Sequence, residues 1–152
     1  MKRFALITVA LVAILWAWPA RAADLEYTSF SSDITINADA SLSITETIGV
    51  RFLSELHGIF RNIPVRYTRT DGHNEATIPI SEVAVTQDGR AAEVDLSRSG
   101  DDLVIRIGDP NKTITGDHTY VISYRAEAAV NFFDNHDELY WNITGTTWDQ
   151  PL

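Results

Sequence analysis

Over residues 42–52 the chain alternates without a break. Leu42, Ile44, Glu46, Ile48, Val50 and Phe52 share one parity, and Ser43, Thr45, Thr47, Gly49 and Arg51 the other. Successive side chains of a strand point to opposite faces, whereas a helix would scatter these residues around its axis. The segment therefore predicts a strand with one side in a core and one in water, as in an antiparallel sheet. The same period returns at Phe30, Ser32, Ile34 and Ile36, at Leu103, Ile105 and Ile107, and at His118, Tyr120, Ile122 and Tyr124. Turn formers punctuate the strands at 37–41, Asp88-Gly89, Ser99-Gly100-Asp101, Asp109-Pro110-Asn111 and Thr115-Gly116-Asp117. About eight short strands with a turn every ~8–12 residues predict an all-β fold. We expect an antiparallel β-sandwich of immunoglobulin-like or Greek-key layout, with a small β-barrel as the alternative, and a strand order of hairpin upon hairpin.

Two stretches interrupt the alternation. At 57–64, His57-Gly58-Ile59-Phe60-Arg61-Asn62-Ile63-Pro64 combines a permissive glycine with a proline that restrains the preceding residue from helix. It reads as an ordered connection with one helical turn that plugs Ile59 and Phe60 into the core. Residues 66–76, with Asp71-Gly72 inside, read as a turn or long hairpin loop. Ile78-Pro79-Ile80 opens an edge-like strand, because proline cannot donate to a central ladder.

Glu46 is the one charged residue on the apolar face of 42–52. An ionised carboxylate there is costly unless a cation or several donors meet it. Arg61 and Arg66 are the nearest candidates, and a structural ion pair of Glu46 with Arg61 is expected.

The first 22 residues follow the three-part layout of a secretory signal peptide: Lys2 and Arg3, an apolar run over 4–18, Pro19, then Ala20-Arg21-Ala22. The run is shorter than the ~20 residues of a spanning helix. Cleavage after Ala22 is expected, leaving residues 23–152 as a single β-sandwich domain. Removing residues 1–22 takes Lys2, Arg3 and Arg21 from the 12 basic residues and leaves all 21 acidic ones, for a net charge of about −12. Such a surface repels phosphate backbones, so nucleic acid is not expected as a partner, nor is an anionic membrane surface. The chain has no cysteine, so an exported form would rest on its core rather than on disulfides.

Residues 137–148, Asp-Glu-Leu-Tyr-Trp-Asn-Ile-Thr-Gly-Thr-Thr-Trp, carry two of the four tryptophans. As a last strand they would present Glu138, Tyr140, Asn142 and Thr144 on a polar face and Leu139, Trp141 and Ile143 on an apolar one. The polar face, with Trp148 and with His57 from the 57–64 connection, is the expected binding surface, since Tyr140 and Trp148 could stack on sugar rings or anchor a protein contact. Trp141, Tyr120 and Tyr124 are expected to fill the core.

Other motifs fail on spacing. The histidines His57, His73, His118 and His136 are far apart in sequence and no thiol accompanies them, which argues against zinc. Asp134 and Asp137, in Asp134-Asn135-His136-Asp137-Glu138, come nearest to a calcium loop but lack the glycine and distal glutamate of an EF-hand. Asp109 to Asp117 fails likewise, with Ile114 where the turn glycine would fall. No nucleophile elbow is present. No cofactor is expected and no catalytic residue is assigned. Glu138 with Asp137 or Glu46 could supply the two carboxylates of a glycoside hydrolase only if the fold set them about 5–10 Å apart.

Five ordered segments carry a resemblance: Ser43-Ile44-Thr45-Glu46-Thr47-Ile48; the 57–64 stretch; Ile105-Arg106-Ile107-Gly108-Asp109; Gly116-Asp117-His118-Thr119-Tyr120-Val121-Ile122-Ser123-Tyr124; and Glu138-Leu139-Tyr140-Trp141-Asn142-Ile143-Thr144-Gly145 with Trp148. Together they resemble the exported N-terminal domain of the YciQ-like predicted membrane proteins, the DUF2207 family, from about Leu25 onward. The resemblance implies a place on the periplasmic or extracellular face of a bacterial cytoplasmic membrane, with transmembrane helices following the domain. The sequence departs from that pattern by stopping just after Trp148, so a truncated domain with an unpartnered sheet edge is expected. The expected function is a non-enzymatic binding or sensing module with a protein or glycan ligand at the cell envelope, tethered through the missing region. The alternatives are a cell-envelope carbohydrate-active enzyme using Glu138 and Asp137, and a structural spacer.

Overall fold

The computed structural model describes residues 23–68, 75–145 and 148. Its strands are β1 (Leu25–Ile36), β2 (Leu42–Leu56), β3 (Ile59–Pro64), β4 (Arg66–Thr68), β5 (Glu75–Thr77), β6 (Ile80–Gln87), β7 (Arg90–Ala91), β8 (Val94–Ser99), β9 (Asp102–Ile107), β10 (Ile114–Ala126), β11 (Val130–Phe132) and β12 (Asp137–Leu139). The larger antiparallel sheet has the order β1-β2-β10-β6-β7 and the smaller one β3-β9-β8, while β4 with β5 and β11 with β12 form two-stranded ribbons. Neither sheet closes on itself, so the fold is an antiparallel sandwich and not the barrel. One hydrophobic cluster joins Ile44, Ile48, Val50 and Ile122 of the larger sheet to Ile63, Ile105 and Ile107 of the smaller. Each such side chain, fully buried, contributes about 1.5–3 kcal/mol.

Period two carries through to burial. Leu42, Ile44, Glu46, Ile48, Val50 and Phe52 of β2 are all buried, as are Leu103, Ile105 and Ile107 of β9 and Tyr120, Ile122, Tyr124 and Ala126 of β10. In β1 the parity switches. Leu25 and Tyr27 are buried, yet Phe30 and Ile34 pack on the core further along, because the register shifts between Tyr27 and Ser29. A bulge inserts one residue and so changes which face the following side chains take. Gly49 lies opposite it, where an added Cβ would stand 2.5 Å from Ser29 Oγ and 2.7 Å from Thr28 Oγ1.

The strand order is not hairpin upon hairpin. β2 pairs along its length with β10, from Leu42↔Ala126 to Leu56↔Ile114, and β10 pairs on its other side with β6. Alternation states which face a residue takes but not which strand lies alongside. Placing β2, of 15 residues, beside β10, of 13, sets the two longest apolar stripes together in the sheet. Pro79 stays outside the ladder, and its carbonyl accepts from Glu127 N at 3.0 Å. The strand that follows is edge-like over most of its length, as expected: β10 lies along one side of β6, while β7 pairs on the other side only with Thr86 and Gln87.

The 57–64 connection has no helical turn. Residues 59–64 are β3, paired with β9 from Ile59↔Ile107 to Pro64↔Asp102. Ile59, Arg61 and Ile63 point inward, and Phe60 is 51% exposed rather than plugged into the core. Neighbouring residues of a strand cannot face the same way, so once Ile59 is buried Phe60 must be out. The chain changes sheets at His57-Gly58, against the end of β9. A Cβ on Gly58 would fall 1.9 Å from Ile107 O, and one on Gly108 would fall 2.0 Å from His57 O. Only two glycines let these backbones touch.

β4 and β5 pair over Arg66↔Thr77 to Thr68↔Glu75, as expected for a hairpin. Its Asp71-Gly72 tip lies outside the described residues. The expected last strand at 137–148 is mostly not a strand: β12 stops at Leu139, Tyr140 keeps one main-chain bond to Ala129, and 141–145 have no ladder partners. No helix among the described residues is long and apolar enough to cross a membrane.

Candidate functional site

The densest chemistry lies between the two sheets. Glu46 of β2 and Arg61 of β3 are 0% and 1% exposed, and the carboxylate receives the guanidinium on both oxygens, Arg61 Nε to Oε2 at 2.6 Å and Nη2 to Oε1 at 2.8 Å. Tyr124 of β10 donates its hydroxyl to the same Oε1 at 2.7 Å. Burial is the main reason the Tyr124 hydroxyl is pushed well above its ordinary pKa; the nearby Glu46 charge adds to this, and Arg61 opposes it.

Arg61 has three further donations. Nη1 reaches Asn62 O at 2.7 Å and Thr144 O at 3.1 Å, and Nη2 reaches Ile143 O at 3.1 Å. A guanidinium has five N–H groups, and all five are spent. Its face is occupied as well: the Arg61 Cζ lies 5.0 Å from the Trp148 ring centroid and 5.8 Å from that of Phe30. Such cation–π contacts contribute about 0.5–2 kcal/mol each, more as water is excluded.

This explains why 141–145 is not a strand. The carbonyls of Ile143 and Thr144 turn to the arginine instead of to a neighbouring strand. Thr144 O also accepts from Trp148 Nε1 at 2.7 Å, and Gly145 N donates to Asn142 Oδ1 at 2.9 Å. Gly145 has φ +76°, and an added Cβ would stand 2.8 Å from Arg61 Nη1. The segment is thus a strap latched by its main chain to a buried charge.

The expected binding residues fall into separate environments. Glu138, Tyr140 and Asn142 are exposed, but Asn142 is occupied by its turn and Tyr140 leans on Tyr67 at a ring distance of 5.0 Å. Trp148 is half-buried, edge-on to Tyr27 at 4.8 Å and to Phe30 at 5.7 Å, and so is spent on the latch. Tyr120 and Tyr124 lie fully in the core, whereas Trp141 is half-buried at its rim, 6.2 Å from the Tyr124 ring. His57 stands apart from the strap, its Nδ1 2.9 Å from Lys112 O. It lines a groove of about 440 Å³ with Leu25, Leu56, Ile59, Phe60 and Arg106. One polar surface uniting His57 with Glu138 and Asn142 is therefore not formed.

Asp137 and Glu138 are consecutive on β12, so they project to opposite faces and cannot straddle one bond. Glu46 is saturated by Arg61 and Tyr124. Asp134 and Asp137 are exposed, and among the described residues no group of three or more His, Asp or Glu side chains gathers where a metal ion could sit. Asp109 instead holds its own turn, accepting from Asn111 N and pairing with Lys112 at 2.7 Å.

A second polar cluster had no advance signal in the sequence. Asp88, in the β6–β7 turn with φ +52°, accepts from Thr119 N at 2.9 Å and meets His118 Nδ1 at 2.7 Å. The Thr119 amide, then His118, hold its carboxyl below the ordinary aspartate range.

A family model described as "Predicted membrane protein (DUF2207) N-terminal domain" matches residues 26–152. No curated protein and no solved structure matches the chain.

Proposed function

The chain belongs to that DUF2207 family of predicted-membrane-protein N-terminal domains, and from this premise we propose that it is an extracytoplasmic interaction module of a membrane protein, without catalysis of its own. The carrying observation is how the side chains are used. The densest polar cluster, Glu46, Arg61 and Tyr124, is buried and its members saturate one another, while apolar side chains are left facing water on the ribbon and strap that follow β10. A fold built this way presents a surface rather than a reaction centre. Export is supported by the leader-like residues 1–22 and by the family's description as membrane proteins.

The test is a fusion of alkaline phosphatase, active only after export, behind Leu152, together with the mass of the purified product. The reading expects an active fusion and a chain starting at Ala23. An inactive fusion that retains residues 1–22 would contradict it.

A spacer is the second reading, favoured by the internal saturation of the buried cluster. It differs in expecting no consequence from polar substitutions on the exposed apolar residues.

A further inference from the structure

β11 and β12 form a ribbon with unlike faces. The pairs Val130↔Leu139 and Phe132↔Asp137 lie on one side and Asn131↔Glu138 on the other. The first side is apolar but for Asp137, and it is open to solvent: Phe132 is 69% exposed, and Leu139 is also exposed. Phe133, 51% exposed at the ribbon's turn, stacks on His136 at a ring distance of 4.8 Å. Tyr140 and Ile143, just beyond, are exposed too. Most of the exposed large hydrophobic residues described in this protein are thus gathered within 132–143. Isolated exposed apolar residues need no explanation, but a contiguous group of them marks a contact surface.

The ribbon is rooted rather than dangling. Tyr140 N donates to Ala129 O at 2.9 Å, Ala129 is buried, and the strap beyond is held by Arg61. Little ordering is left to be lost on binding, which favours affinity.

Charge selects the partner. Glu127, Asp134 and Asp137 are exposed near the apolar residues, Glu138 is exposed on the ribbon's other side, no Lys or Arg occurs between 126 and 145, and Arg125 is engaged by Asp39. An anionic lipid surface would be repelled, whereas a protein surface with an apolar centre and a basic rim is complementary.

We propose that the β11–β12 ribbon, with Phe132, Phe133 and Leu139 as its apolar anchors, docks onto a protein surface that is apolar at its centre and ringed by Lys or Arg. This rests on the interaction-module reading and names its partner class.

The probe is a synthetic peptide alternating leucine and lysine, measured by calorimetry against the exported chain. A serine–lysine peptide, a leucine–glutamate peptide and vesicles of phosphatidylcholine with or without phosphatidylglycerol serve as comparisons. The leucine–lysine peptide is expected to bind best. The double substitution Phe132→Ser with Phe133→Ser, which leaves the charge unchanged, should weaken it about tenfold. Neutralising Asp134, Asp137 and Glu138 together should weaken it similarly and flatten its salt dependence, whereas Leu53→Ser, at an exposed leucine on β2, should not. Binding that ignores the ribbon substitutions overturns this assignment and leaves the module reading standing with another surface. Tighter binding to either vesicle than to the peptide overturns it in favour of lipid. Absence of binding to every probe overturns it as well, while the module reading still answers to the export test.

Discussion

Arg61 and Glu46 meet across the two sheets as a bidentate pair in which neither side chain is accessible to water. The pair spends two of the five guanidinium N–H groups, and the remaining three reach main-chain carbonyls, two of them in the strap. One residue therefore joins β2, β3 and the chain beyond β12.

Glu46→Gln leaves the Arg61 charge buried without its counter-ion, and should destabilise the protein by about 3–5 kcal/mol. Replacing both residues by apolar ones, Glu46→Leu with Arg61→Met, should cost less than the two single changes added together. Urea unfolding of the four proteins gives the coupling energy, and a value near zero would show that the pair does not act as a unit.

The glycines divide sharply. Gly58→Ala would drive a Cβ into Ile107 O, a backbone atom that cannot swing aside, and should cost more than about 3 kcal/mol or abolish folding. Gly89→Ala, at φ +77° but with open space around it, should cost only about 1 kcal/mol. Equal melting temperatures for the two variants would contradict the close contact of β2 and β9 ends.

How much of this was readable beforehand depends on where the signal resides. Glu46 stood out because period two placed a carboxylate on an apolar stripe, and burial alone demands that such a group find a partner. The sandwich followed from the same period. Phe60 was misplaced because a glycine and a proline suggested irregular chain where β-branched Ile59 and Ile63 were already alternating. The β2–β10 pairing was not legible, since alternation fixes a face and no local residue pattern names the neighbour. Nor was the strap: Arg61 binds it through the carbonyls of Ile143 and Thr144, which every residue possesses, so only Gly145 and Trp148 leave a mark in the sequence.

At acid pH the stability should fall. Asp88, Asp39 and Asp109 all lie below the ordinary aspartate value of 3.8 in the folded chain: Asp88 through the Thr119 amide and His118, Asp39 through Ser41 and Arg125, Asp109 through Lys112 and the Asn111 amide. A depressed folded pKa means that the unfolded chain takes up protons first, so the stabilisation is present above about pH 3.8 and is lost as pH falls further. Thermal melts between about pH 3 and 6 should show this, with a shallower slope in Asp88→Asn.

At alkaline pH the sign reverses through Tyr124 and Tyr120. Burial raises both hydroxyls above the ordinary tyrosine value of 10.0, so the unfolded chain ionises first and stability is lost as pH rises past that value. Tyr124→Phe should lower stability at neutral pH, because Glu46 loses a donor, and reduce the alkaline slope. An unchanged slope would place the ionising group elsewhere.

The central claim is that Arg61 is fully engaged and holds the strap. Nitrogen-resolved NMR of the arginine side chains tests it most directly. The structure predicts separate, slowly exchanging Nη1 and Nη2 proton signals for Arg61, and their collapse on Glu46→Gln together with faster amide exchange at Gly145. A single averaged guanidinium signal for Arg61 in the unaltered protein, exchanging as fast as that of exposed Arg90, would contradict it.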